Sequence, residues 1–323
     1  MEIYVNNKSA IEYWRLHFDS RAIGLPRRKT IMPDRPQKTD LRQMEIIREL
    51  TPPIRIFVRN SNDRRKMPPY VKQHIFSMEM PTGCFINVGN GIMMSSPEFC
   101  FLQMAKAFSL IELIELGYEL CGTYSLPANA AHADEPTFPA RGFNIRPPLS
   151  SKKKLEDFIA GMPGVEGHKK AVRALRYISD GVASPMEAKL AIMLTLPYKL
   201  GGYHFPMPEH NSRIVPVKTE KKSASKKSYV CDLYWPDHGL AIEYDSDSFH
   251  TGPERIAGDS KRRNALEMMG VTVITVTNQQ LRNIPELEKV AHTLAGHMKK
   301  RLGYKNPSFS IAHRQLHKLL LPH

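Results

Sequence analysis

At 323 residues, with 41% hydrophobic and 24% charged side chains, the chain can build two packed cores and is too apolar to be a disordered one. Its 46 Lys and Arg against 32 Asp and Glu leave a net charge of +14, which favours a polyanionic partner, nucleic acid first and an anionic membrane surface second. Cys84, Cys100, Cys121 and Cys231 form no CxxC pair, no apolar stretch approaches the ~20 residues that span a bilayer, and MEIYVNNKSAIEYWR lacks the pattern of a signal peptide. A zinc ribbon, a dithiol redox site and a membrane protein are thereby disfavoured, and buried thiols in a cytoplasmic protein are expected.

In chain order, residues 8–20 predict a short helix, with Ile11, Trp14 and Phe18 on one face. The basic, Pro-rich stretch 21–53 predicts a loop, IRIFV (54–58) a buried strand, and HIFSMEM and CFINVGNGIMM strands around Gly turns. SSPEFCFLQMAKAFSLIELIELGYELCG predicts two consecutive helices: Ser96 caps, Pro97 sits at the first helical position, and the pattern breaks near Ser109. These elements give an α+β domain over 1–125, followed by an Ala/Pro/Gly-rich linker at 126–150.

A second domain is expected over 151–305, with a tail at 306–323. Residues 151–180 predict two helices split by a Pro-Gly turn. The second carries Lys169, Lys170, Arg173 and Arg176 as a basic stripe, with Val172, Leu175 and Ile178 facing inward. Two readings of that stripe are open, a solvated face and a surface for a phosphate backbone. In SPMEAKLAIMLTLP (184–197), Ser184, Pro185 and Glu187 form a capping-box start. A Lys/Ser-rich loop, KTEKKSASKK (218–227), comes next.

SYVCDLYWPDHGLAIEYDSDSFH contains two aromatic, β-branched runs joined by PDHG, the pattern of a β-hairpin. A turn centred on Asp237 and His238 pairs residues whose numbers sum to 475, which sets Asp232 opposite Glu243. Asp245, two residues on, shares the face of Glu243. Like charges opposite one another across strands destabilise a sheet. Either a hard divalent cation gathers the three carboxylates, or Lys and Arg neutralise them, or another register separates them. SFHTGPERIAGDSKRRNALEMMG then predicts a loop and a helix ended by Gly270, and VTVITVT a buried strand. A crossover of that length makes the last strand parallel to the Glu243 strand. Asp259 and Arg262, at i and i+3, form either a surface ion pair or part of the site. The fold class expected is α/β, with a mixed sheet flanked by helices in the second domain.

The ordered pattern D…ExD…H…DxxRxxxLxxxG, followed by a strand, comprises Asp232, Glu243, Asp245, His250, Asp259, Arg262, Leu266 and Gly270. Over residues 184–300 it resembles the Vsr-like branch of the PD-(D/E)XK restriction-endonuclease superfamily, with Glu187 matching the acid on the helix before the hairpin. The resemblance implies a restriction-endonuclease-like core and a Mg²⁺-dependent endonuclease, with Mn²⁺ able to substitute and DNA as substrate; RNA shares the same site chemistry. It implies Asp232 and Glu243 as metal ligands, and Glu187 acting through water. His250 would be a general acid/base or orienting group (the alternative is a hydrogen-bonded loop histidine), while Asp259 and Arg262 support the site or contact phosphate. Asp245 stands where the wider superfamily has a lysine, and Asp247 adds a further negative charge. The basic segments 169–176 and 218–227 would track the nucleic-acid backbone. In the N-terminal half, SAIEYWR, SPEFCFLQMA and ELCGTYSL are similar to proteins related to the AbiEi-type antitoxins of phage-defence toxin–antitoxin systems. That likeness implies a DNA-binding or regulatory domain, a partner protein of such a system, and, as a second reading of the whole chain, a non-catalytic DNA-binding regulator with a degenerate nuclease fold.

Overall fold

The computed structural model describes residues 2–17, 49–64, 66–76, 80, 82–128, 142–215, 228–246, 253–303 and 307–322. They form an α/β fold of mixed sheets flanked by helices, in two compact units, Met1–Asp180 and Gly181–His323.

In the first unit, β1 (Ile3–Val5), α1 (Asn7–Leu16), β2 (Ile54–Val58), β3 (Val71–Ile75), β4 (Phe85–Gly89) and β5 (Ile92–Ser95) build a five-stranded sheet of order β3-β2-β1-β5-β4. β1 runs parallel to β5 and antiparallel to β2. α2 (Pro97–Ala107) and α3 (Leu110–Cys121) follow. Ser96 caps the first, with Pro97 in its first turn, and Ser109 forms a capping box with Glu112 on the second, so the helix breaks where the sequence predicts. Phe99 of α2 packs on Phe57 and Phe85 of the sheet, with centroids at 5.9 and 5.6 Å, and Trp14 donates from Nε1 to Ser95 O at 2.8 Å.

The stretch expected to be a linker is tied into this unit at both ends. β6 (Tyr124–Ser125) pairs with β7 (Asn144–Ile145), and buried Arg146 donates to Glu119 O at 2.5 Å. α4 (Lys152–Ala160) and α5 (His168–Leu175) pack on α2 and on each other, burying Leu155, Ile159, Ala171, Ala174 and Leu175. The partition therefore falls between Asp180 and Gly181, whereas the sequence suggested a second domain beginning at 151. Leu175 and Ile178 are buried as expected, and one position of the expected inward face differs. Ala171 and Ala174 take the inward positions, and Val172 is 38% exposed instead of buried.

In the second unit, α6 (Pro185–Thr195), β8 (Glu209–Ile214), β9 (Tyr229–Trp235), β10 (Leu240–Asp245), α7 (Pro253–Met268) and β11 (Thr272–Thr277) give a four-stranded sheet, β11-β10-β9-β8. β9 is antiparallel to both neighbours and β11 parallel to β10, as the crossover length requires. Gly239 (φ +52°) ends the hairpin turn where a Cβ would stand 2.5 Å from Gly270 O, so glycine lets the turn meet the end of α7; Thr272 N donates to Gly239 O at 2.8 Å. α8 (Asn278–Arg282) and α9 (Ile284–His297) follow. The expected C-terminal tail is instead largely a helix, α10 (Pro307–Leu320). His313 hydrogen-bonds Gly201 O at 2.6 Å and Tyr203 Oη at 3.3 Å, and His317 bonds Leu281 O at 3.2 Å. Among the described residues no helix is long and apolar enough to cross a membrane.

Candidate active site

The hairpin pairs Leu240 with Trp235, Ala241 with Tyr234 and Ile242 with Leu233. Each pair sums to 475, the register expected from the turn, although the turn itself is a single 3₁₀ turn over Pro236–His238. The ladder ends at Leu233 and Ile242, one position short of Asp232 and Glu243, so the expected pairing of those two is not part of it. Instead the amide of Tyr244 donates to Asp232 Oδ2 at 2.7 Å, tying the carboxylate to the neighbouring strand.

Asp232, Glu243 and Asp245 line one cleft of about 420 Å³, together with Arg262 and Arg263 of α7 and Thr275 of β11. Glu243 and Thr275 are register partners across the parallel pair, which carries the cleft onto the third strand. Arg262 donates to Glu243 Oε1 and to Val230 O. The buried Cys231 thiol lies 3.9 Å from the same Glu243 oxygen and is pushed up to about 11, by burial first and by Glu243 second. Arg263 reaches Thr275 Oγ1 at 3.4 Å.

Asp232 is held well above the ordinary carboxylate range. Burial, then the negative charge of Glu187, raise its pKa from 3.8 to about 7. Glu243 adds to the rise, while the Tyr244 amide and Arg262 oppose it. Glu187 and Glu243 thus share a field with Asp232, whereas the trio the sequence predicted was Asp232, Glu243 and Asp245, and Glu243 is bonded to an arginine.

Glu187 is 8% exposed in the first turn of α6. Ser184 Oγ accepts from Glu187 N at 3.2 Å, the hydroxyl half of a capping box. The reciprocal half is absent among the bonds of Glu187. Its Oε2 accepts from Ala183 N and from Asn211 Nδ2, both at 3.1 Å. Asn211 was not singled out by the sequence; its signal is a left-handed backbone inside a strand, which only coordinates reveal. Beside it, burial pushes His210 down to about 4, against a hydrogen bond to the backbone of Asp232, so its imidazole is neutral at neutral pH.

The remaining candidates are dispersed. His250, Asp247 and the basic loop 218–227 lie outside the described residues, and Asp259 sits on α7 with its side chain outside them. Lys169, Lys170, Arg173 and Arg176 belong to the first unit, where Lys170 donates to Phe108 O at 2.7 Å and the other three are exposed. Among the described residues no three His, Cys, Asp or Glu side chains are arranged as a ready metal cage.

Fold and cleft together define an α/β protein whose second unit presents paired acids and arginines in one opening. Two proteins from two strains of Mycobacterium tuberculosis, both named only as uncharacterized, are each 24% identical to this chain over 154 residues, 48% of this chain and 51% of theirs. The chain thus spans about half the length of these curated relatives. No protein-family profile and no solved structure matches it.

Proposed function

We propose that the protein is a metal-dependent endonuclease, in the cytoplasm, that hydrolyses phosphodiester bonds of DNA, in phage defence or a toxin–antitoxin setting. The observation that carries the reading is Asp232, raised to about 7 by burial and two neighbouring acids, in a cleft that also holds two arginines. Perturbed acids in a cleft mark functional sites more often than structural ones.

A hard divalent cation fits the donor set. The oxygens of Asp232 and Glu243 are its preferred ligand type, and Mg²⁺ keeps several waters, so two carboxylates suffice without a closed cage. A cation would also offset the burial and the repulsion from Glu187 and Glu243 that raise Asp232. When bound, such an ion supplies charge neutralisation at the phosphate and acidifies a nearby water. Glu187, held in place by two donors, accepts a proton from the attacking water. The guanidinium groups of Arg262 and Arg263 offer bidentate contacts to phosphate oxygens. Asp245 adds negative charge to the cleft lining, where the superfamily this pattern resembles carries a lysine. His250 supplies the acid for the leaving oxygen in this reading, with Asp259 supporting α7. Water oxygen bonds to phosphorus, the bridging P–O bond breaks, and the products are a phosphate monoester and an alcohol. Lys169, Lys170, Arg173 and Arg176 hold the backbone elsewhere on the chain.

A second reading has its own support. Arg262 already neutralises Glu243, which suits a DNA-binding regulator that never loads a metal. Purified protein incubated with plasmid, single-stranded DNA and RNA, in Mg²⁺ or Mn²⁺, separates the two. Cleavage that Asp232→Ala abolishes supports the nuclease. Salt-sensitive binding without cleavage in any divalent metal supports the regulator.

A further inference from the structure

From the geometry around α6 we infer that Asn211 is a positioning residue that holds Glu187 toward Asp232, a role that rests on the nuclease reading for its purpose but not for its geometry. Asn211 has φ +48° in the middle of β8. Asn is among the few non-glycine residues that visit the left-handed region, because its short amide can bond locally. The β8–β9 ladder pairs His210 with Leu233 and Ser212 with Cys231 and skips the intervening Asn211 and Asp232.

The skipped position puts the amide to another use. Asn211 Nδ2 donates to Gly181 O at 2.9 Å and to Glu187 Oε2 at 3.1 Å. With Ala183 N on the same oxygen, two donors pin one end of the carboxylate. Among the described residues Glu187 Oε1 accepts no hydrogen bond, so the carboxylate is oriented with one oxygen committed and one available. α6, which carries Glu187, packs against β9, the strand that carries Asp232. A strained residue, a break in the ladder and a pinned acid coincide beside the acid at the centre of the cleft. Such strain persists where the surroundings over-determine it, and it concentrates at functional sites.

A purely structural role would be to tie the Gly181–Ser184 turn to the sheet. Two substitutions separate the roles. Asn211→Gly keeps the left-handed backbone at no steric cost and deletes the amide. Asn211→Asp keeps size and backbone preference but replaces the donor with a charge that repels Glu187. If Asn211 positions Glu187, both variants keep the wild-type melting temperature within a few degrees. Their kcat falls by about 10- to 100-fold, the scale of a misplaced catalytic group, with KM little changed. Hydrogen exchange at the Ala183 amide, whose acceptor is then loose, speeds by roughly tenfold. Wild-type Ala183 protection in Asn211→Gly overturns the inference, as does a loss of kcat that tracks a loss of melting temperature. If wild type and variants all fail to cut nucleic acid, the nuclease reading falls, and Ala183 exchange alone decides whether Asn211 holds Glu187.

Discussion

Glu119 of the first unit, which is buried, and Asp232 of the second, which is half-buried, are treated in opposite ways. In the first, Glu119 takes a bidentate pair from Arg15, Nε at 2.8 Å and a terminal nitrogen at 2.6 Å, plus the Leu126 amide at 3.0 Å. Its charge is matched before any ligand arrives, in the fork geometry that makes such pairs strong. In the second, Asp232 faces Glu187 and Glu243, and the nearby Arg262 is bonded to Glu243. A buried acid given its own cation holds a fold together. A half-buried acid set among other acids carries a desolvation cost and a repulsion that something outside the chain can relieve.

The sharpest way to break this contrast is to remove each acid. Glu119→Ala leaves Arg15 and the Leu126 amide without their acceptor in a largely buried place, and should cost about 3–5 kcal/mol in urea unfolding. A cost below roughly 1 kcal/mol, the worth of a surface pair, would show that Glu119 is not structural in this sense. Asp232→Asn should do the reverse. A carboxyl whose folded pKa of about 7 lies above its ordinary 3.8 binds its proton more tightly in the folded state. The stability this lends is complete below about pH 3.8 and is lost as pH rises through about 7. In EDTA the wild type should therefore weaken between pH 4 and pH 7 while Asp232→Asn does not. Allowing for the solvent that reaches the cleft, the variant should be more stable at pH 8 by about 1–2 kcal/mol. Parallel pH profiles for the two proteins would remove the stored repulsion from the account.

Local signals were legible and long-range ones were not. Ser96 and Ser184 each cap a helix at the predicted residue, and Ser109 caps a helix where a break was expected, because a cap is a contact over three positions. The 475 register was legible because the loop length fixes it once the two runs are strands. The assignment of α5 to the first unit depends on α2 and α3, some 60 residues away, and Ala171 and Ala174 carry too little hydrophobicity to announce the buried face. α10 was hidden for a related reason. Its inward positions are Phe309, His313, Leu316, His317 and Leu320, and counting the histidines as polar erases the stripe. The carboxylate of Glu187 was expected to close its own cap. It bonds one residue earlier and across to Asn211, a choice that only the neighbouring strand makes available.

Smaller effects sharpen the comparison further. Arg262→Gln removes the cation paired with Glu243 and, for a pair 37% and 26% exposed, should cost only about 0.5–1 kcal/mol in EDTA. Mg²⁺ should then stabilise the variant more than the wild type, because guanidinium and metal ion compete for Glu243. Equal Mg²⁺ shifts in thermal melts of the two proteins would remove Glu243 from the ligand set.

The least perturbing change tests whether the first unit, whose Glu119 is already paired with Arg15, supplies affinity rather than chemistry. Lys169, Arg173 and Arg176 are exposed, and residues 167–179 contain no Asp or Glu. Replacing the three with Glu should leave unfolding within about 0.5 kcal/mol, as surface changes usually do. In metal-free DNA binding, each lost phosphate contact should lower the slope of log K against log salt by about 0.9. Three contacts would cut the slope by nearly 3 and leave Mg²⁺ stabilisation of the second unit unchanged. An unaltered slope would assign these cations to the solvated surface and move DNA affinity to another part of the chain.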